Sequence, residues 1–265
     1  KEDLGGSNIH VPEFDYNALS ETDKYIYDHY TVPYNVEVVY RWNQGDVSSD
    51  DMRKNLVPPR ESQVEPFLEM IEKVWMDTYT AEVGQQTLRS YIPKQLLLVG
   101  SASYNDDGST TEGTAEGGRQ IVLYSVNDFN FELEQIQSYA HVMHHEFAHI
   151  LHQNVEYDAE FEKITPSYSS SWMQMNDETA RSKGFITAYA SSSADEDFAE
   201  MVSIMLTNSP EDWDNMIENA GNAAAVEALR KKEAIVVAYM KNNWGVNMKD
   251  FQKEVVAAIE AAVRN

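Results

Sequence analysis

The stretch His145-Glu146-Phe147-Ala148-His149 constrains this chain more than any other, because it fits an H-E-x-x-H pattern inside a segment of helical character. Histidines four apart on an α-helix point the same way. Two imidazoles can then hold one metal ion while the glutamate between them stays off the metal as a base. From Asn130 to Asn154 there is neither Gly nor Pro, and Asn130 stands as a natural N-cap before Phe131-Glu132-Leu133-Glu134. At about 100° per residue, Ile136, Ala140, Met143, Phe147, Ile150 and Leu151 share one stripe, and His141, His145, His149 and His152 share the opposite side. One face can pack on a core while the other looks into a polar cleft. The bland alternative is a solvated face that happens to be rich in His; Glu146, set within the pair at the motif spacing, argues against it.

A catalytic zinc takes three protein ligands and keeps one position open. The extension H-E-x-x-H-x-x-G-x-x-H is absent, since position 152 is His and position 155 is Val, and its variant ending in Asp is absent too. His152 shares the histidine face but lies a turn beyond His149, about 5 Å along the axis, which places it near the cleft rather than on the metal. A better third ligand lies in Ser193-Ala194-Asp195-Glu196-Asp197-Phe198-Ala199-Glu200. Read as a helix, Glu196, Glu200 and Ser203 share one face, and Phe198, Val202, Met205 and Leu206 the other. Taken alone, the residues leave Glu196 with two roles: a metal ligand, or the return half of a Ser193-x-x-Glu196 capping box. Glu200, one turn on, is either the ligand itself or a group that orients a ligating histidine from behind.

The pair His145-Glu146-Phe147-Ala148-His149 and Glu196-Asp197-Phe198-Ala199-Glu200 resembles gluzincin-type zinc metallopeptidases, among them the catalytic domain of anthrax lethal factor. That domain carries a Tyr seven residues before its ligand Glu, a place held here by Tyr189. The string His144-His145-Glu146-Phe147-Ala148-His149-Ile150-Leu151-His152-Gln153 is similar to zinc-binding metallopeptidases exported as lipoproteins by gut bacteria. The resemblance implies zinc held by His145, His149 and Glu196, Glu146 as general base, and Tyr189 as the donor to a tetrahedral oxyanion. It also implies a zincin-like α+β fold, with a mixed, sheet-bearing N-terminal lobe, a helical C-terminal lobe and the active-site cleft between them.

The expected activity is therefore zinc-dependent hydrolysis of a peptide or protein substrate. Two rivals are weighed against it. One is a catalytically idle metal-binding or accessory surface protein, linked to glycan or nutrient uptake, and it has no need of an intact Glu146. The other is a structural protein with a chance motif, which makes Glu196 and Tyr189 coincidences as well. A net charge of −24 argues against binding a phosphate backbone, so no nucleic-acid partner is expected. The absence of cysteine rules out disulfides and thiolate ligands, and no run is long and apolar enough to span a membrane. The polar start Lys1-Glu2-Asp3-Leu4-Gly5-Gly6-Ser7 is read as part of a flexible tail over residues 1–12 of a processed product. The lipoprotein resemblance implies export to the cell envelope or surface, with a lipid anchor upstream of residue 1.

The rest is expected to form one two-lobed domain over residues 13–265, the N-lobe running to about 154 and the C-lobe from about 155. Ser20 opens a helix to about Tyr30, Ser62-x-x-Glu65 caps another through Tyr79, and Asn35 to Trp42 and Leu96 to Val99 read as strands. Tyr104 to Gly118 reads as a turn or loop. Gln120 to Val126 reads as a strand, either an ordinary core strand or the edge on which a peptide adds by β-augmentation. After position 155 strand signals fade and mostly helices are expected, among them ones beginning near Ser209, Ala223 and Lys249, with Tyr157 to Gly184 inserted between the two ligand segments.

Overall fold

A strand buried on both faces shows no alternation in sequence, and two short apolar runs of this chain are of that kind. The computed structural model describes residues 14–43, 54–104, 110, 111, 113–116 and 119–264. The tail expected over residues 1–12 lies outside them. The described strands are β1 (Glu37–Val39), β2 (Gln95–Leu98), β3 (Ser103–Tyr104), β4 (Thr110–Thr111), β5 (Gly113–Glu116) and β6 (Gln120–Leu123). Four of them form a sheet in the order β1-β2-β6-β5, parallel except for the antiparallel β5, while β3 and β4 pair as a separate ribbon. Leu96, Leu98, Ile121 and Leu123 face the main helical core. Leu97, Val99, Val122 and Tyr124 join Trp42 in a smaller cluster, where the Trp42 indole N–H donates to Leu98 O at 2.7 Å.

In this region one alternative is settled and one expectation is corrected. Of the two readings of the run from Gln120, the core strand holds and the edge does not, since β6 lies between β2 and β5; it ends at Leu123, short of Val126, which lies in a 3-10 turn. The edge on that side is β5, which comes from the stretch expected to be a loop, and that stretch also holds β4 and the end of β3. Its glycine has a steric reason. A Cβ on Gly113 would come within 2.4 Å of Val142 Cγ1, so only glycine lets this edge lie so close to the helix that carries the H-E-x-x-H motif.

The N-terminal helix starts where expected, with Ser20 Oγ accepting from Asp23 N–H at 3.1 Å. It continues past Tyr30, as α1 (Glu21–Ile26), a π-helical stretch Tyr27–Thr31 and α2 (Val32–Tyr34). The second helix starts one residue before the expected cap. Arg60 rather than Ser62 is its N-cap, its side chain makes no capping bond, and its backbone N–H is held by Asn127 Oδ1 at 2.7 Å. It runs as α3 (Glu61–Ile71), a π-helical stretch Glu72–Met76 and α4 (Asp77–Val83), followed by α5 (Gln85–Tyr91).

Next comes the histidine helix, α6 (Leu133–Asn154). It begins after the expected Asn130 cap because Asn130 Oδ1 accepts from Glu132 N–H at 3.0 Å in a local turn of its own. No strand follows among the described residues; α7 (Glu160–Ile164), α8 (Asp177–Arg181), α9 (Ala194–Thr207), α10 (Pro210–Glu218), α11 (Ala223–Trp244) and α12 (Met248–Ala262) complete the chain. Ser193, Ser209 and Asn222 cap α9, α10 and α11. One hydrophobic core extends from Ile26 to Ala262, so packing crosses the boundary expected near residue 154. Phe251 of α12, for example, meets Tyr79 of α4 at 4.8 Å. No described helix is long and apolar enough to cross a membrane.

Polar contacts set α6 against α9 in antiparallel register. Gln137 Nε2 donates to Thr207 O at 2.7 Å, His141 meets Glu200 at 2.8 Å and His149 meets Glu196 at 3.1 Å. The residue after Glu196 fastens this ladder to the rest of the molecule. Asp197 Oδ2 lies 2.5 Å from the wholly buried Lys232 ammonium and accepts from Tyr168 O–H at 3.0 Å. Lys232 also donates to Gly184 O at 2.8 Å and sits over the Phe185 ring. Burial pushes Asp197 up to about 6 and Lys232 down, and their pairing offsets only part of that. Removing one partner of a buried pair strands the other. Lys232→Met is therefore expected to cost about 3–5 kcal/mol of stability, read from urea unfolding. The double variant with Asp197→Asn should recover most of it.

Candidate metal centre

The periodicity of α6 puts Ile136, Ala140, Met143, Phe147, Ile150 and Leu151 in the core, all buried. That leaves His145 and His149 side by side opposite α9. Ser193 Oγ accepts from Glu196 N–H at 3.3 Å, so half of the expected capping box exists. The carboxylate does something else. Glu196 Oε2 lies 3.0 Å from His145 Nε2 and 3.1 Å from His149 Nε2, and the two Nε2 atoms are 3.1 Å apart. The two readings of Glu196 are compatible because one uses its backbone and the other its side chain.

Three converging donor atoms at these spacings fit a zinc ion. Tetrahedral coordination with bonds of about 2.0–2.1 Å has ligand–ligand edges of roughly 3.3 Å, within a few tenths of an ångström of the distances here. The donor chemistry fits as well. With both rings neutral and protonated at Nδ1, two ring nitrogens and a carboxylate oxygen would present lone pairs to one point, and a shared cation satisfies all three. Burial opposes charge on His145, yet Glu196 and Glu200 outweigh it and lift its pKa to about 10. Glu196 is correspondingly held well below the usual carboxylate range by His145 and His149, against its own burial.

Glu200 stands behind this trio. Its Oε1 is 2.8 Å from His141 Nε2 and also 2.8 Å, short but poorly aligned, from His145 Nδ1. Its Oε2 accepts from Thr187 O–H at 2.6 Å. His141, His145 and Glu200 are themselves close enough to hold an ion. A His145 whose Nε2 belongs to the first trio has its remaining N–H at Nδ1, however, and a carboxylate there is the usual outer partner of a ligating imidazole. Buried Glu200 is depressed by His141 and His145 despite its burial.

Glu146 is half-buried and belongs to neither trio. Burial raises its pKa, partly countered by His145 and His149. Tyr189 lies in the short turn Tyr189–Ser191, with its ring 5.8 Å from His145 and 4.9 Å from Trp172. Burial and then the Glu196 charge push its phenol up, so it remains a proton donor. Trp172 comes from the insertion, which is tied to the same turn by Ser169 N–H donating to Ser191 O at 2.8 Å.

Two contributors were not singled out from sequence. Thr187, which holds Glu200 and accepts from Ala190 N–H at 3.1 Å, has no sequence signal. His144 does: on the helical wheel it falls with Ala140, Met143 and Phe147, not with the ligands. It is fully buried and neutral, pushed down to about 3 by burial. Its Nε2–H donates at 3.2 Å to Val74 O, within the π-helical stretch. Thr78 O–H donates to the same carbonyl at 3.4 Å, so the motif helix is anchored on the π-helical stretch.

A small, mostly helical α+β fold with two imidazoles and a carboxylate converging on one point defines the zinc-metallopeptidase class. The chain belongs to the family described as "putative zinc-binding metallo-peptidase", whose pattern matches residues 16–249. The solved structure of a "putative zinc-binding metallo-peptidase" from Bacteroides caccae is similar, at 32% sequence identity and a TM-score of 0.78, covering 91% of this chain and 92% of that one. No curated protein matches the chain significantly. These findings bear out the resemblance to gut-bacterial metallopeptidases and do not bear on the lethal-factor likeness.

Proposed function

We propose that this protein is a zinc-dependent peptidase that hydrolyses peptide bonds, with His145, His149 and Glu196 holding the metal. The observation that carries this reading is the mutual approach of His145 Nε2, His149 Nε2 and Glu196 Oε2 to 3.0–3.1 Å on the face opposite the core. When bound, zinc supplies Lewis acidity, polarising a peptide carbonyl and acidifying a water. The rest is the work of side chains. Glu146, outside both trios, takes a proton from the attacking water and delivers one to the departing amine. Tyr189 donates its O–H to the carbonyl oxygen, where negative charge develops only in the transition state. The edge strand β5, brought against α6 by Gly113, supports substrate binding as an added strand.

The substrate is a peptide or protein; the −24 charge speaks against nucleic acid. Export to the cell envelope with a lipid anchor upstream of residue 1 belongs to the same reading, and its support is the resemblance of the His144–Gln153 string. An idle accessory role has no observation in its favour.

The test is elemental analysis of the purified protein beside a peptide-library digest. One zinc per chain and chelator-sensitive cleavage are expected. Tyr189→Phe should keep its zinc and lose about 10²–10³-fold in kcat. A wild type that takes up no zinc when it is supplied would end the enzyme reading.

A further inference from the structure

A ligating imidazole has a second nitrogen, and what that nitrogen meets fixes the ring's tautomer and direction. His145 has the carboxylate of Glu200 behind it. At the Nδ1 of His149 the described residues place no carboxylate or carbonyl; that nitrogen faces the Nε2 of His152 at 2.9 Å. Here we infer that His152 is a positioning residue for the metal site, accepting the Nδ1–H of His149 and so presenting His149 Nε2 to the metal. The inference rests on the metal centre proposed above and assigns His152 no contact with the ion.

Proton placement follows from the geometry in one direction. If His149 Nε2 is to offer its lone pair beside His145 Nε2 and Glu196 Oε2, at 3.1 Å from each, its hydrogen must sit on Nδ1. The His152 nitrogen that meets it is Nε2, which must then accept, leaving the His152 hydrogen on Nδ1. That nitrogen lies 4.0 Å from Asp195 Oδ1, beyond hydrogen-bond reach. Asp195 Oδ1 is itself held by Tyr157 O–H at 2.7 Å.

The His152 ring is held in place as well as in tautomer. It is 7% exposed and meets Tyr157 edge-on at 5.5 Å and Phe198 at 5.9 Å. Tyr157 and Phe198 are in turn stacked at 4.5 Å. Tyr157 belongs to the insertion and Phe198 to α9, so two segments beyond its own helix fix one imidazole whose accepting nitrogen points at His149. The two ligand histidines are thus supported unequally, His145 by a buried anion and His149 by a neutral ring one turn further along the same helix.

The test compares His152→Leu, which fills the space without an acceptor, with His152→Gln, which restores an amide oxygen. Zinc affinity is measured by chelator competition, the ligand field from the absorption of the cobalt-substituted protein, and packing from thermal melting of the metal-free protein. Expected are a zinc affinity about 10–100-fold weaker in His152→Leu, a shifted cobalt spectrum, a metal-free melting temperature close to wild type, and partial rescue in His152→Gln. Wild-type affinity and spectrum in His152→Leu, with zinc bound normally by the wild type, would overturn the inference and leave the metal centre standing. Equal losses in both variants together with a lowered metal-free melting temperature would show a packing role and overturn it too. A loss as complete as that of His149→Ala would make His152 a ligand, again overturning it. Failure of the wild type itself to bind zinc would remove both readings.

Discussion

Glu146→Gln should bind zinc as the wild type does and hydrolyse peptide about 10²–10⁴-fold more slowly, the range a positioned general base contributes. The two halves of this expectation rest on different observations. Zinc is kept because Glu146 lies outside both groups of converging ligand atoms and Gln has nearly the same shape. Hydrolysis is lost because an amide cannot take a proton from water at neutral pH. Stability should not fall. Burial already opposes the Glu146 charge, so a neutral amide at this half-buried position removes a desolvation cost. Zinc stoichiometry, kcat/KM on a cleaved library peptide and thermal melting separate the three statements. A Gln variant that still cleaves at the wild-type rate would remove Glu146 as the base.

What was legible in the sequence is what a helix enforces locally. The two faces of α6 follow from 3.6-residue periodicity, and every core residue assigned from it is buried. The caps at Ser20, Ser193 and Ser209 are likewise bonds between residues three apart. Non-local relations were not legible. An apolar run such as Gln120–Leu123 announces a strand but not its neighbours, so whether it forms an edge depends on where β5 pairs, and β5 grows from a glycine-rich stretch with no apolar signal. The π-helical stretch Glu72–Met76 reads as ordinary helix, and the bond that His144 makes to its Val74 carbonyl joins residues 70 apart. Glu196 shows the same limit from another side. Ser193-x-x-Glu196 fixes the backbone of the turn, whereas the direction of the carboxylate depends on α6 lying across from it.

Glu196→Ala and Glu200→Ala are expected to fail in opposite ways, although both remove a carboxylate near His145. Glu196 contributes one of three converging donor atoms, and its side chain is still 24% accessible. Its loss should weaken zinc by well more than the 10–100-fold expected for an outer-shell partner, while the metal-free fold survives. Glu200 is buried at 2% exposure and lies 2.8 Å from both His141 and His145. Removing it leaves the partly exposed His141 without its carboxylate and His145 with Glu196 alone, and a loss of about 3 kcal/mol of metal-free stability is expected, with zinc affinity reduced only in the outer-shell range.

The pH dependence carries the same signature. In the metal-free wild type, the pairing that raises His145 from 6.5 to about 10 gives stability that is full below 6.5 and fades as pH rises through 10. The pairing that depresses Glu200 below 4.5 gives stability that is full above 4.5 and fades as pH falls. Glu200→Ala removes the acid-side contribution outright and weakens the alkaline one. Its deficit relative to wild type should therefore be greatest between about pH 5 and pH 8 and shrink toward both extremes. Melting curves across that range, set beside chelator titrations of both variants, check the whole pattern. Zinc loss in Glu200→Ala greater than in Glu196→Ala would move the third ligand one helical turn along α9.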